Sequence, residues 1–435
     1  MMENHFFKAY LDTLLSQIRE KRARELVRNE IKAHLDDQKA AYMADGMSEP
    51  QAAQAAVSDM GDPIETGAAL DRIHRPKPAW GMLAVIAVLC AFGIFLQYLI
   101  SVNGQAPKAE GLPIFQKHFM CAVTGFALLC AVYLLDYTRI AVYSGWLCRL
   151  LLLFVLLLES NMIPPVPSAP LTEFLLYLYV PLYGALLYTY RNAKKPFWPM
   201  MVIYTILPLL LAQKSGKTIL LLNLTAIFLF LIATAAIKGW FGLSKKKIRL
   251  AAAGVLALAA GIPIFSAFWL RAYQSARFYA WLHPETEPFG PGYIGSQIRA
   301  IVNGSKLIGP YTAQPIAEIL PELSADFSFT FLIGTCGILA ASALVLLILL
   351  FGIRMLHISL HQKNQLGLIM GLGCSLVFGI QSAESILVNL SLLPSTSAYF
   401  PLISYSQGGM LQTFILLGIL LSIYRYQDVV SEPTV

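Results

Sequence analysis

The sequence predicts an all-α polytopic membrane protein with ten transmembrane helices, preceded by a small cytoplasmic helical domain. The first observation is composition: 57% of the 435 residues are hydrophobic and 13% are charged, whereas soluble domains carry about 25% charged residues. The second is charge distribution, because residues 1–75 have a net charge of −3 and the remaining residues a net charge of +10. The two segments are therefore expected to face different solvents, water and the bilayer.

Composition also excludes several classes of protein. The chain is too apolar for a disordered protein, and it is not of the collagen or coiled-coil type. Its six cysteines all lie in apolar stretches, so we expect buried thiols without a redox role rather than a disulfide framework. Residues 1–75 contain no apolar run typical of a signal peptide, and we expect the first span after residue 80 to act as the targeting signal.

Residues 1–75, here called the prefix domain, are predicted to form three helices. Apolar residues recur at helical spacing over residues 6–44, and Gly46 ends this first helix. Ser48 then begins a second helix as its N-cap, with Pro50 in the first turn and Gln51 as the capping-box partner.

The second helix is expected to end at the Gly-Asp-Pro sequence of residues 61–63, and a third helix runs to about Ile73. The pattern from Gly46 to Pro63 resembles the short helical prefix domains found ahead of some bacterial permeases. Two roles stay open for this domain: a solvated cap that helps the protein fold or dock, and a regulatory interaction module. The linker His74–Trp80 contains two prolines, which is typical of a joint between independent domains.

Stretches of about 20 apolar residues, long enough to span a bilayer, recur along the rest of the chain. Their ten centres lie near residues 91, 125, 150, 181, 205, 228, 260, 339, 378 and 416. With the prefix domain inside, the inner loops carry eleven Lys and Arg, and the short outer loops carry four. The positive-inside rule then places both termini in the cytoplasm. A distribution of basic residues set by sidedness gives no support to nucleic-acid binding.

One outer segment, residues 271–325, is far longer than the others, and long ordered loops usually carry function. It reads RFYAWLHPETEPFGPGYIGSQIRAIVNGSKLIG from Arg277 and AEILPELSADFSFTF from Ala317. Two further motifs follow it, QSAESILVNLSLLP from Gln381 and FPLISYSQGG from Phe400.

Taken in order, these motifs resemble the SEDS family of bacterial shape, elongation, division and sporulation proteins, typified by FtsW, RodA and SpoVE. The resemblance covers about residues 80–427 and includes the family's ten spans. The matching loop residues are Arg277, Leu282, Pro284, Gly292, Tyr293, Gln297, Asn303, Gly304 and Gly309. The family's Leu-Glu-x-Leu-Pro-Glu-x-His-Thr-Asp-Phe-x-Phe pattern appears at residues 317–329. The C-terminal matches are Gln381, Asn389, Leu393, Pro394, Pro401, Ile403, Ser404 and Tyr405.

The resemblance implies a peptidoglycan glycosyltransferase. Such proteins polymerise lipid II at the outer face of the cytoplasmic membrane, and a class B penicillin-binding protein cross-links the product. Asp326 would be the general base that takes the proton from the acceptor sugar hydroxyl, because a carboxylate beside Phe327 and Phe329 is partly desolvated. The other interpretation of Asp326 is a helix N-cap or an exposed charge.

The leaving diphosphate needs positive charge. The candidate cations on the outer face are Arg277, Arg299, Lys306, Lys214 and Lys217, and a divalent metal ion is a further candidate. Glu318 and Glu322 are interpreted either as groups that position the acceptor or the metal ion, or as helix caps. Gln297 and Ser404 complete the predicted substrate-binding set.

Departures from the family pattern keep a second class of function open. The fourth span begins APLTEFLLYL, in which Glu173 matches but Leu176 stands where the family has a lysine. The family's Gln-Pro-Asp-Leu-Gly-Thr appears as QKSGKT, which loses the aspartate and adds Lys214 and Lys217. Ser324 stands where the family has a histidine. The alternative function is a non-catalytic membrane scaffold, or a binder or transporter of lipid-linked precursors.

Four polar residues are predicted to lie within the membrane, namely Glu173, Gln381, Glu384 and Asn389. Such residues are costly there unless they are paired or face a cavity. We expect either structural hydrogen bonds inside the helix bundle or a part in the functional site.

Overall fold

The computed structural model has only helical regular structure in the part of the chain that it describes. It describes residues 3–103, 108–160, 168–191, 197–241, 246, 272–283, 290, 292–311 and 316–429. The chain divides into two compact units. The first contains the residues up to Ala79, Gln362–Gln365 and the C-terminal residues from Ile423; the second contains Trp80–His361 and Leu366–Ser422.

The N-terminal part of the first unit contains four helices. They are α1 (Glu3–Ser16), α2 (Lys21–Ala44), α3 (Glu49–Asp59) and α4 (Pro63–His74). The prediction of one helix over residues 6–44 is wrong, because the chain turns between α1 and α2. Ile18 is fully buried in this turn, and Arg24 Nε donates a hydrogen bond to its carbonyl oxygen at 2.7 Å. Tertiary burial therefore fixes a break that no Gly or Pro marks in the sequence.

The start of α3 confirms the predicted capping residues Ser48 and Gln51, and the start of α4 has a cap that was not predicted, Asp62. Gln51 Oε1 accepts hydrogen bonds from the backbone N–H of Ser48 at 3.4 Å and from its hydroxyl at 2.7 Å. Asp62 Oδ1 accepts one from the backbone N–H of Ile64 at 3.1 Å. These side chains stabilise the helix ends because the first N–H groups of a helix lack partners within it.

Asp428 joins three segments of the first unit. Its carboxylate pairs with Lys77 Nζ at 2.6 Å and Lys363 Nζ at 3.1 Å, and its carbonyl oxygen lies 3.0 Å from His74 Nδ1. Burial alone would raise the pKa of Asp428, but the two lysines outweigh burial and hold this pKa below its usual range. The linker is therefore attached to the C-terminal segment at both His74 and Lys77.

The other helices follow in chain order. They are α5 (Trp80–Asn103), α6 (Lys108–Leu134), α7 (Tyr137–Val142), α8 (Ser144–Glu159), α9 (Ser168–Thr189), α10 (Phe197–Lys214), α11 (Thr218–Ile237), α12 (Ala272–Leu282), α13 (Tyr293–Gly304), a 3₁₀ turn (Ile316–Glu318), α14 (Ser328–Cys336), α15 (Ile338–Leu360), α16 (Gln365–Asn389) and α17 (Gln407–Arg425). All six cysteines are free thiols, three buried and three half-buried.

Within the described residues, seven helices are long and apolar enough to cross a membrane: α5, α6, α9, α11, α15, α16 and α17. The ten predicted spans are therefore not all found. The span expected near residue 150 is α8, which has only 16 residues. The span near residue 205 is a shorter apolar helix, Met201–Lys214, and the one near residue 260 lies outside the described residues.

A separate short helix precedes the span expected near residue 339. This helix, α14, is followed by Gly337, whose φ of +96° is in the left-handed region. A Cβ atom at Gly337 would lie 2.7 Å from the carbonyl oxygen of Leu307, so both the backbone conformation and the close approach require glycine. Asp326 therefore precedes the buried helix α14, which lies between it and the span.

Candidate functional site

Asp326 ends a tight turn that begins at Glu322. The carbonyl oxygen of Glu322 accepts hydrogen bonds from the N–H groups of Ala325 at 3.1 Å and Asp326 at 2.9 Å. Glu322 has a φ of +52°, which is uncommon for a residue with a side chain. Such conformations persist only where the surroundings hold them, and they concentrate at functional sites.

Distant segments of the chain hold this turn in place. Gln97 of α5 donates from its side-chain amide to the carbonyl oxygen of Ser324 at 2.9 Å. The backbone N–H of Tyr405 donates to the same oxygen at 2.7 Å. Asn389, at the end of α16, donates to the carbonyl oxygen of Asp326 at 2.9 Å. The position of the Asp326 backbone is thus set by three separate parts of the fold.

Two further contacts fix helix α14 behind the turn. Asn389 Oδ1 accepts hydrogen bonds from the backbone N–H of Thr330 at 2.9 Å and from its hydroxyl at 2.8 Å. The hydroxyls of Ser328 and Ser404 lie 2.9 Å apart. Ser404 is fully buried, so we assign it to this hydrogen bond and not to the substrate contact that the sequence suggested.

The Asp326 carboxyl is half-buried and accepts a hydrogen bond from Ser397 Oγ at 3.0 Å. Desolvation by burial raises the pKa of Asp326 above its usual range, and the Glu322 charge acts in the same direction. The Ser397 hydroxyl, the Lys217 charge and the backbone N–H of Ala398 partly offset this rise. A raised pKa makes the carboxylate a stronger base than an ordinary exposed aspartate.

Lys217 supplies the positive charge that acts on Asp326. It lies at the start of α11 and pairs with Glu173 of α9, with 27% and 23% of the two side chains exposed. Leu176, which occupies the lysine position of the family pattern, is fully buried. The cation beside Glu173 therefore comes from a different helix than the family pattern predicts.

Glu384 of α16 adds another carboxyl to this region. Asn223 of α11 donates hydrogen bonds to Glu384 Oε2 at 2.8 Å and to the hydroxyl of Tyr177 at 3.0 Å. The charges of Glu173 and Lys217 both act on the Glu384 carboxyl. We call Glu173, Lys217, Asp326 and Glu384 the charged cluster.

All four polar residues predicted to lie within the membrane have partners. Glu173 and Glu384 belong to the charged cluster, and Asn389 holds the Asp326 turn. Gln381 Oε1 accepts a hydrogen bond from the side-chain amide of Gln412 at 3.1 Å. Structural pairing thus accounts for Gln381 and Asn389, whereas the two glutamates lie with the candidate catalytic residue.

Arg299 has protein partners of its own. Its Nε donates to Ser391 Oγ at 3.1 Å, and its terminal nitrogen donates to the carbonyl oxygen of Trp281 at 2.9 Å. Trp281 Nε1 donates in turn to the Ser391 carbonyl oxygen at 3.1 Å. Arg299 therefore connects α12 and α13 to the end of α16. The remaining predicted site residues are exposed or half-buried: Arg277, Gln297, Lys306, Lys214, Glu318 and Glu322.

A metal site is not assigned. Among the residues that the structure describes, no group of three or more His, Cys, Asp and Glu side chains is placed to hold a metal ion. We therefore derive no step of the chemistry through a divalent ion.

Sequence reasoning missed several residues of this site. Ser397 and Ala398 contact the Asp326 carboxyl but lie in a segment without a distinctive motif. Gln97 and Asn223 are polar residues within long apolar helices, and that contrast is the one signal by which they could have been found.

Comparisons with known proteins agree with this architecture. The family model described as "Cell cycle protein" (FTSW_RODA_SPOVE) matches residues 173–429, more than half of the chain. The peptidoglycan glycosyltransferase MrdB of Escherichia coli (strain K12) is 28% identical over 236 residues, which cover 54% of this chain and 61% of MrdB. This chain thus aligns with less than two thirds of that relative.

Two other similarities extend over more of the chain. The protein named "Probable peptidoglycan glycosyltransferase FtsW" of Aromatoleum aromaticum is 25% identical over 393 residues, covering 82% of this chain and 92% of that protein. A solved structure described as "Structural coordination of polymerization and crosslinking by a peptidoglycan synthase complex" contains a chain that superposes with a TM-score of 0.60. At 18% identity, over 80% of this chain and 99% of that one, this similarity shows the fold.

Proposed function

Because the chain belongs to the FtsW/RodA/SpoVE family of cell cycle proteins, we propose that it is a peptidoglycan glycosyltransferase that polymerises lipid II. We place the reaction at the outer face of the cytoplasmic membrane, with both termini in the cytoplasm and residues 271–325 outside. The observation that carries the proposal is the environment of Asp326. Its half-buried carboxyl lies on a turn fixed by distant segments, and the charge of Lys217 acts on it.

In this proposal Asp326 acts as the general base. Its carboxylate accepts the proton of the acceptor sugar hydroxyl while that oxygen attacks the anomeric carbon of the donor. The bond from this carbon to the diphosphate oxygen breaks, and the lipid diphosphate leaves with the electron pair. Burial raises the basicity of Asp326, and the Ser397 and Asn389 contacts restrict its position. Both effects favour proton transfer in a fixed geometry.

Lys217 is the proposed cation for the leaving diphosphate. Its ion pair with Glu173 holds the ammonium group near the site before substrate arrives, which lowers the cost of orienting a long flexible side chain. A diphosphate carries more negative charge than a carboxylate, so it can compete with Glu173 for the ammonium group. Three further cations are exposed, and we propose that they bind the same substrate: Arg277, Lys214 and Lys306.

The proposed partner is a class B penicillin-binding protein that cross-links the polymer. The support comes from the structural neighbour, whose description names a peptidoglycan synthase complex that coordinates polymerization with crosslinking.

One observation favours the non-catalytic alternative, a scaffold or a binder or transporter of lipid-linked precursors. Lys217 and Arg299, two of the candidate cations, are engaged with other protein groups. A scaffold would not need them to be released, whereas a glycosyltransferase needs at least Lys217 to contact the substrate.

Purified full-length protein in liposomes, supplied with lipid II, tests the two functions. We expect glycan polymers on gels, either from this protein alone or when a class B penicillin-binding protein is added. The cross-linking active site of that partner is inactivated, so that any polymer remains uncross-linked. A matched variant, Asp326→Asn, should bind lipid II but polymerise it about 10²–10⁴-fold more slowly. Lipid II binding by the parent protein without polymer under any partner condition would establish the non-catalytic alternative.

A further inference from the structure

A short segment after α13 is bonded to the beginning of the α15 span. The carbonyl oxygens of Lys306 and Leu307 accept hydrogen bonds from the backbone N–H groups of Ile338 at 3.0 Å and Leu339 at 3.1 Å. The N–H groups at the start of a helix have no partner within it, so the segment satisfies donors that would otherwise be costly near lipid. Its polar backbone is thereby covered at the level where the span begins.

Two side chains of this segment, those of Leu307 and Ile308, are apolar and exposed. Leu307 is 66% exposed and Ile308 is 69% exposed, more than the other large apolar residues with side chains described in the loop. Two adjacent side chains of this size and exposure are unusual on a surface that faces water.

The exposed pair continues a stripe on the span itself. Exposed apolar residues recur along α15 at positions 339, 346, 350 and 353, a spacing that places them on one face of a helix. Such a face on a membrane-spanning helix contacts acyl chains. Because Leu339 donates its N–H to Leu307, the loop residues extend this stripe beyond the end of the helix.

We propose that Leu307 and Ile308 form a membrane anchor that inserts into the lipid leaflet where α15 begins. Lipid is the occupant we commit to because the pair is continuous with the lipid-facing stripe of the span. The preceding residue, Lys306, is exposed, and a lysine beside an apolar pair at this depth extends its ammonium group to lipid phosphates. Gly337 permits the arrangement, since any side chain there would collide with Leu307 and Ile308.

The anchor has a consequence for the charged cluster. The anchor segment directly follows α13, and its backbone is hydrogen-bonded to the start of α15, just after the junction with α14. The Asp326 turn directly precedes α14. Insertion therefore fixes the height of α14, and with it the Asp326 turn, relative to the bilayer surface. If the chain acts on a lipid-linked substrate, as proposed above, that surface is where the substrate presents its diphosphate.

Environment-sensitive fluorescence tests the anchor without reference to any activity. The variants Leu307→Cys and Ile308→Cys of the full-length protein are labelled with a nitrobenzoxadiazole probe and reconstituted in liposomes. Asn303→Cys, on the exposed surface of α13, is the matched control. The unsubstituted protein measures labelling of the six native cysteines. We expect blue-shifted emission at positions 307 and 308, and quenching by lipids that carry a nitroxide near the headgroup end of the acyl chain.

Water-like emission without quenching at both positions, equal to that of Asn303→Cys, would overturn the anchor. A second comparison uses the double variant Leu307→Ser with Ile308→Ser. Its polymerisation rate should fall in liposomes and match the parent in detergent micelles, because micelles impose no fixed surface. Equal loss in both media would mean that the pair packs against protein and would also overturn the anchor. A parent protein that polymerises nothing would leave the fluorescence result standing and count only against the proposed function.

Discussion

Asp326→Asn separates proton transfer from the structure of the site. The amide keeps the size of the side chain, and its oxygen can still accept hydrogen bonds from Ser397 and Ala398, the two donors to the native carboxyl. It cannot accept the proton of the acceptor hydroxyl. General base catalysis typically contributes about 10²–10⁴-fold, which corresponds to roughly 3–5 kcal/mol of barrier, so we expect the polymerisation rate to fall by that factor.

The same substitution should leave folding almost unchanged. Burial raises the pKa of Asp326, so folding favours the protonated form. That favourable contribution is complete below the unfolded-state pKa and is lost as pH rises through the folded-state pKa. Above the folded-state pKa the native carboxylate therefore contributes none of it. We expect a change in unfolding free energy of at most about 1 kcal/mol, the usual net value of one hydrogen bond.

Ser397→Ala is the matched variant for the pH dependence. The native Ser397 hydroxyl lowers the pKa of Asp326, so removing this hydroxyl raises that pKa further. The base must be ionised to work, and the acidic limb of the pH–rate profile should move to higher pH while the alkaline plateau changes little. Rates are measured from polymer formed on lipid II between weakly acidic and alkaline pH. An unaltered rate in Asp326→Asn with normal protein level, or an unmoved acidic limb in Ser397→Ala, would refute the assignment of Asp326 as base.

Further outcomes are expected from the charged cluster, the linker and the topology. Lys217→Met should reduce the polymerisation rate by about 10²-fold, as for loss of one charge-stabilising group. Adding Glu173→Gln should reduce the rate little further if the two residues act as a unit. Additive losses in the double variant would show that they do not. Asp428→Asn should speed proteolysis of the linker in timed digests, and an unchanged digest would show that its ion pairs do not restrain the chain. Deleting residues 1–75 should leave the remaining chain inserted and folded by size-exclusion profile; aggregation would contradict an independent prefix domain. The variant Ser296→Cys should react with an impermeant thiol reagent from outside the cell, and reaction only from inside would reverse the topology.

Local signals predicted part of the fold well. The capping residues Ser48 and Gln51 act within three positions of each other, so their effect is readable from the sequence. The break between α1 and α2 is different, because burial of Ile18 and its contact with Arg24 arise only when the helices pack. The boundary at Gly337 is an intermediate case: glycine is visible in the sequence, but its collision partner Leu307 lies 30 positions away.

The candidate site shows the same division between local and long-range information. Asp326 was predicted because a recognisable motif surrounds it. The partners that fix its position and chemistry lie far along the chain, such as Ser397 at 71 positions and Asn389 at 63. A single sequence does not reveal such pairings, because many other polar residues carry the same donor and acceptor groups.

Lys217 connects these observations. A diphosphate responds to the position of a positive charge in space, and the same position can be reached from more than one helix. In this chain the family's lysine position is the buried Leu176, while Lys217 reaches Glu173 from the start of α11. The missing lysine therefore does not by itself indicate an inactive site. It indicates that α9 now supplies only the acidic half of the pair. The separation between the base on the Asp326 turn and the cation then depends on how α11 packs beside α9 and α16, where Asn223 joins Tyr177 to Glu384.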